Sequence, residues 1–253
     1  MTDLAHSSLM LAALFQPRQL WMAMLVTLVF TALARWARGV SVSGAVAGAV
    51  VCLLLYAGAG PGAFAALVSV FALTWISTRL GYQRKQRLGT AQSREGRTAS
   101  QVLANLAVAA GCAGLSAISG KSVFLFATAA ALSEAAADTV SSEIGQARHA
   151  KARLITTWQE VSAGTDGGVS NVGTVSGVVA ATLVSLVCAL GGVVPLRWCG
   201  IPAIAGVTGM IADSLLGALL ERRKLLGNDW VNFLGTAVAA LVAVLLAWMS
   251  GFR

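Results

Sequence analysis

The segment SEAAADTVSSEIG, residues 133–145, begins as a small-residue apolar helix and then gathers Glu134, Asp138, Ser141, Ser142 and Glu143. The chain has ten acidic residues, and three of them fall here, directly after the apolar run KSVFLFATAAAL. An acid near the middle of a membrane helix costs about 2.5–3.5 kcal/mol on insertion scales, so it usually has a purpose. Asp138 and Ser142 stand one helical turn apart, with Ser141 beside them. Asp138 is the first candidate for a metal ligand or base. Glu143 lies a further turn and a half on, about 140° around a regular helix. The two carboxylates share a site only if the helix unwinds near Gly145; otherwise they serve different faces. Glu134, one turn deeper, is a candidate for pairing with a neighbouring helix or for chemistry. The competing reading of the whole segment is a helix end with ordinary solvated acids.

Four other motifs carry polar groups at similar places. GTDGGVSNVGT (164–174) holds Gly164, Gly167, Gly168 and Gly173 among Thr165, Ser170, Asn171 and Thr174, just ahead of an apolar helix. Freed backbone N–H groups beside a helix N-terminus suit a phosphate; the alternative is a flexible turn with a helix cap. The stretch is neither a Walker A sequence nor GxGxxG. In GVTGMIADSLLGALLERR, the residues Gly206, Gly209, Asp213 and Gly217 share one helical face, which reads as a groove holding one acid or as tight helix packing with Asp213 paired to an arginine. REGRTASQVLAN sets Arg97, Gln101 and Asn105 in a polar stripe, either functional or bonding between helices. GNDWVNF offers Asn228, Asp229 and Asn232 at a helix start, where Asn228 or Asp229 could equally be the cap. Acids, amides, hydroxyls, a glycine loop and arginines together describe a Mg²⁺–phosphate site, with Asp138, Glu143 and Asp213 as oxygen ligands. His6 and His149 stand outside these motifs.

These residues need helices to hold them. The chain is 57% hydrophobic and 11% charged, with a mean hydropathy of +0.77; a soluble domain carries about 25% charged residues. Apolar runs of membrane-crossing length lie at roughly 19–36, 41–57, 61–78, 101–119, 122–142, 173–194, 201–219 and 230–250, bounded by Pro17, Gly60-Pro61, Gly120 and Pro202. The expectation is an all-α polytopic bundle of about eight transmembrane helices in a single domain, 1–253, with an interfacial segment over 1–18 and loops at 79–100 and 143–172. Of 18 basic residues, 14 fall in one set of loops, which the positive-inside rule places in the cytoplasm with every polar motif. The net charge of +8 therefore reports orientation rather than nucleic-acid binding. Cys52, Cys112, Cys188 and Cys199 have no metal-ligand spacing and read as structural thiols.

ADTVSSEIG and GTDGGVSNVGT, with flanking similarity from SGAVAGAV to NDWVNFL, resemble the integral-membrane prenyl-phosphate kinase family that includes the plant chloroplast phytyl-phosphate kinase and the animal transmembrane protein 19. The resemblance implies a kinase that makes a prenyl diphosphate from a prenyl monophosphate (phytyl, geranylgeranyl or farnesyl type) and a nucleoside triphosphate, CTP or ATP, with Mg²⁺. Asp138, Glu143 and Asp213 would then hold the metal. Arg97 and the basic 79–97 loop would neutralise the acceptor. Gln101, Asn105, Ser142, Gly164, Thr165, Gly167, Gly168, Ser170, Thr174, Asn228, Asp229 and Asn232 would line the nucleotide and phosphate site, and the lipid tail would lie along Gly206, Gly209 and Gly217. The expected location is a bacterial inner membrane with the site facing the cytoplasm, and a homo-oligomer is compatible with this. A transporter of a lipid phosphate or anion is the second reading, and a lipid-headgroup nucleotidyltransferase the third.

Overall fold

Apolar runs of this length satisfy their backbone hydrogen bonds in lipid only as helices, and helices are what they form. The computed structural model describes residues 17–148 and 151–252. Residues 1–16 of the expected interfacial segment, which include His6, and His149 lie outside them. The helices are α1 (Pro17–Trp36), α2 (Val42–Arg79), α3 (Tyr82–Leu88), α4 (Ala99–Ser119), α5 (Val123–Ala147), α6 (Asn171–Leu190), α7 (Gly200–Leu216) and α8 (Asn228–Met249). Six of them are long and apolar enough to cross a membrane, and Leu20–Trp36 is a shorter apolar helix.

At 38 residues α2 would be about 57 Å long if straight, nearly twice the ~30 Å hydrocarbon core. It is not straight. Gly60 adopts φ 78, ψ −175 ahead of Pro61, a backbone open to glycine. The second half, 61–79, runs back along the first, 42–59. Tyr56 meets Phe64 near the reversal, with ring centroids 6.1 Å apart. At the other end Trp75 Nε1 donates to Ala37 O at 3.1 Å. With α2 divided there, the bundle has the apolar segments that hydropathy assigns, and the fold is all-α apart from one small sheet.

That sheet lies between α5 and α6. Its strands β1 (Ala152–Leu154), β2 (Glu160–Val161) and β3 (Gly168–Val169) are antiparallel in the order β2-β1-β3. Of the loop expected over 143–172, residues 143–147 are still α5 and residues 152–169 carry a small folded sheet.

Helix α5 is the hub, packed against α2, α4, α6, α7 and α8. Its alanines explain this, since small side chains let five neighbours approach closely; Ala129, Ala130, Ala131, Ala136 and Ala137 are fully buried. The outer helices instead expose large apolar side chains such as Leu28, Val175, Leu241 and Trp248, which suits a lipid-facing surface. The turns at one end of the bundle carry the basic residues and pack together: Arg97 bridges to Val40, and Gly81 lies against Ala147. At the opposite end Gly62 lies against Gly191, and Phe126 against Phe252.

Candidate active site

The acids sit where α5, α7 and α8 meet. Gly206 lies against Ser133 and the Glu134 backbone, and Gly209 lies against Glu134 Cγ, Gly235 O and Ala239 Cβ. This corrects the expected open groove: the glycine face of α7 is tight packing, and a side chain at Gly209 would meet protein on three sides. Gly217 likewise rests on the Gly167 backbone. The close approach brings the carboxylates together. Asp138 and Asp213 face one another within hydrogen-bonding reach. Glu134, 1% exposed, lies a turn deeper, its Oε1 filling the space beside Gly235 that Asp213 also borders. Among the described residues, Glu134 Oε1 and Asp213 Oδ2 are buried oxygens without a hydrogen-bond partner. After Asp213 the helix widens into a π turn, Gly217–Glu221, a feature frequent at functional sites. Glu221 feels the charges of Asp138 and Asp166.

Arg97 stands on the other side of Asp138. Its Nη2 is 3.4 Å from Thr139 Oγ1 on α5. Burial lowers the Arg97 pKa from its ordinary value, and Glu143 and Asp138 oppose that shift.

Glu143 does not join the acid pair. Helix α5 continues unbroken to Ala147, so Glu143 points to a different partner, the second of the two outcomes its spacing allowed. Lys85 Nζ donates to Glu143 Oε2 at 2.5 Å, and Thr78 Oγ1 donates to Oε1 at 3.1 Å. Lys85 is fully buried and also donates to the Ser77 and Thr78 carbonyls. It sits on α3 in the basic loop, where composition gives it the look of one more solvated charge. Its only sequence signal is that it stands in a seven-residue helix between Gly81 and Gly89.

The glycine loop is internally bonded. Thr165 N donates to Ser162 O, Gly168 N to Thr165 O at 2.8 Å, and Thr174 N to Ser170 O at 2.8 Å. Thr165 Oγ1 donates to Ser162 O, and Ser170 Oγ caps α6 by accepting from Gly173 N at 3.1 Å. Gly167, at φ 73, lets the loop lie flat against Ala218 of the π turn. Gly164, at φ 88, packs against Thr90. The capping alternative therefore describes Ser170, Gly173 and Thr174, while Asp166 lies near enough to Glu221 for their charges to interact. Ser142 is exposed one turn beyond Asp138, its hydroxyl returning to Thr139 O.

The α4 stripe is also partly structural. Gln101 completes a capping box with Thr98, its Oε1 accepting from Thr98 N at 3.0 Å. Asn105 is buried and donates to Gln101 O at 2.9 Å. On α8 the cap is Gly227, so neither Asn228 nor Asp229 caps the helix. Asp229 lies in the first turn, where the helix dipole favours an acid. Asn232 lies a turn before Gly235, which borders Glu134 and Asp213.

Among the described residues no three His, Cys, Asp or Glu side chains converge to hold one ion. Two facing carboxylates with an unsatisfied oxygen do fit Mg²⁺, which is usually bound by one or two carboxylates plus substrate phosphates and water.

Residues 25–240 match the family model of integral membrane protein DUF92. The chain belongs to this family. It is 36% identical over 181 residues to the uncharacterized membrane protein MJ0933 of Methanocaldococcus jannaschii, covering 71% of this chain and 74% of that one. It is 29% identical over 218 residues to Protein VTE6, chloroplastic, of Arabidopsis thaliana, covering 82% of this chain and 65% of the plant protein. Protein PGR of Arabidopsis thaliana is 36% identical over 100 residues, 33% of each chain. No solved structure matches the chain. The DUF92 match takes in both the acid pair and the glycine loop.

Proposed function

We propose that this DUF92 chain is a membrane kinase that transfers the γ-phosphoryl group of a nucleoside triphosphate to a prenyl monophosphate. The observation that carries the reading is the facing Asp138–Asp213 pair, set at the basic end of the bundle beside the 164–170 loop. The resemblance to prenyl-phosphate kinases and the similarity to the chloroplast protein of Arabidopsis support it. Phosphoryl transfer needs positioning and charge neutralisation more than covalent help. An oxygen of the acceptor phosphate forms the new bond to the γ-phosphorus, the bond from that phosphorus to the β–γ bridging oxygen breaks, and the nucleoside diphosphate leaves. The acceptor is already ionised, so no strong base is required.

Asp138 and Asp213 would hold Mg²⁺, which when bound supplies charge neutralisation on the nucleotide phosphates. Arg97, between Asp138 and the basic turns, balances the acceptor charge. Glu143 acts at a distance by fixing α3 through Lys85. The basic turns face the cytoplasm by the positive-inside rule, so the nucleotide arrives from the cytosol.

The test is to incubate purified protein with a panel of prenyl monophosphates, Mg²⁺ and each triphosphate. Prenyl diphosphate and nucleoside diphosphate are the expected products. Pyrophosphate release would mark a nucleotidyltransferase. Glu134, buried with an unpartnered oxygen, favours as second reading a transporter of a lipid phosphate or anion with the acids as a cation-coupling site; lipid binding without nucleotide turnover would select it.

A further inference from the structure

A cavity of about 420 Å³ lies between α1, both halves of α2, α4 and α5, within the roughly 300–1,000 Å³ of ordinary ligand clefts. Its two ends differ in chemistry. Arg38, Arg79, Arg94 and Arg97 line one end, and Phe30, Leu67, Val70, Phe71 and Leu106 line the other. Among the described residues that line it there is neither Asp nor Glu.

The arginine end is built by the fold. Ser41 N donates to Arg97 O at 2.9 Å and Arg97 N to Gly39 O at 3.0 Å, so the turn bearing Arg94 and Arg97 is pinned to the turn bearing Arg38. Arg79 Nη2 donates to Ala37 O at 2.7 Å, and its guanidinium lies 3.9 Å from the centroid of the Trp75 ring. Arg38 holds φ 53, an uncommon backbone for a residue with a side chain and one often found where function demands it. Four guanidiniums at this end outnumber the acids near them, Glu143 and Asp138 beside Arg97 and Glu95 beside Arg38 and Arg94, and a multiply charged anion relieves the repulsion that remains while accepting charge-assisted hydrogen bonds. Thr139 lines the cavity next to Asp138, and Arg97 reaches it, so the cationic end backs onto the acid pair.

We propose that this cavity is the acceptor site, binding a phosphomonoester carried on a long hydrocarbon chain, with the phosphate among the arginines and the chain along the apolar wall. The fate of the bound lipid rests on the kinase reading, but the binding itself is separable from it. Gly48 gives the means of testing. It lines the cavity, and a Cβ there would meet nothing within 4 Å, so Gly48→Leu starts into open space without a backbone clash.

The experiment measures equilibrium binding of radiolabelled geranylgeranyl monophosphate to full-length protein in zwitterionic nanodiscs without nucleotide. Inorganic phosphate and geranylgeraniol serve as competitors. The expected result is that each competitor is far weaker than the unlabelled lipid phosphate. Gly48→Leu should weaken lipid-phosphate binding by about tenfold or more, the scale of a steric change in an apolar pocket, with Mg²⁺–nucleotide binding unchanged. Arg94→Gln, at an exposed position, should weaken it by roughly fivefold and flatten its salt dependence; this variant decides the matter if Gly48→Leu fails to fold. Equal competition by inorganic phosphate, or unchanged binding in folded Gly48→Leu and Arg94→Gln proteins, overturns the assignment. Binding with these losses but no phosphoryl transfer in the wild type leaves the cavity standing and removes the kinase reading.

Discussion

Two sites of opposite character stand back to back on α5. Toward α7 and α8 the helix carries Glu134 and Asp138 into a seam closed by glycines, with Asp213 opposite. Toward α2 and α4 it presents Ala135 and Thr139 to an open cavity with four arginines and no acid. The seam is filled by protein and the cavity is not. An acid pair in a closed seam suits a compact cation with water and phosphate oxygens. An arginine-ended cavity with apolar walls suits an amphiphilic anion. The residues that divide them, Asp138 and Thr139, are neighbours in sequence, so a single helix separates the charges while keeping them one side chain apart.

Glycines give the largest test of that contrast. Both regions contain glycine on a membrane helix, but Gly209 is enclosed and Gly48 faces open space. Gly209→Leu should lose the folded protein outright: overpacking costs about 1–3 kcal/mol where neighbours can shift and more where they cannot, and here the Cβ alone already meets a backbone oxygen and two side chains. Gly48→Leu should melt at or above the wild-type temperature, since leucine favours helix over glycine. Size-exclusion profiles and thermal melts in detergent check both. A well-folded Gly209→Leu protein would mean that the seam opens.

The next effect lies at the rim. Removing one partner of a buried ion pair strands the other, typically at about 3–5 kcal/mol. Lys85→Met should therefore destabilise strongly, and adding Glu143→Gln should recover much of the loss. A double-mutant cycle on melting temperature measures the coupling. Additive losses would show that Lys85 acts through Ser77 and Thr78 alone.

Within the seam, Asp138→Asn and Asp213→Asn each replace a carboxylate with an amide of nearly equal size. The fold should survive, while turnover falls by more than about 100-fold, since even outer-shell changes at metal sites cost about 10–100-fold. Turnover assays with excess Mg²⁺ decide this; normal activity in either variant removes that residue from the site.

The apolar segments were legible because length and hydropathy alone determine them, and the α2 reversal because Gly60-Pro61 breaks the helix. Asp138 and Asp213 were legible because acids at that depth are costly. Lys85 was not, because a lone lysine in a loop of arginines has no local mark of burial; its partners come from the end of α2 and from α5. The Gly206–Gly209 face was readable two ways, and only the helices lying opposite decide between groove and packing. The arginine cavity was hidden for a related reason. Its four guanidiniums come from two turns and the end of α2, which the Val40–Arg97 bridge and the fold-back of α2 bring together.

The smallest effect concerns two helix caps, one on each side of α5. Thr98 caps α4 at the arginine cavity through a reciprocal box with Gln101. Ser170 caps α6 at the edge of the acid seam, its hydroxyl accepting from Gly173 N and enclosed against Gly145. Loss of such a cap costs about 1 kcal/mol. If both hydroxyls serve only their helices, Thr98→Ala and Ser170→Ala should lower stability by similar amounts and leave nucleotide affinity alone. A phosphate ligand behaves differently, because its loss appears in binding as well as in melting. Paired melts and nucleotide titrations on both variants separate the cases. Should Ser170→Ala weaken Mg²⁺–nucleotide binding while Thr98→Ala does not, Ser170 must leave its cap when the nucleotide enters. The 164–174 loop would then be a phosphate site assembled on binding, one that its internal hydrogen bonds close in the free protein.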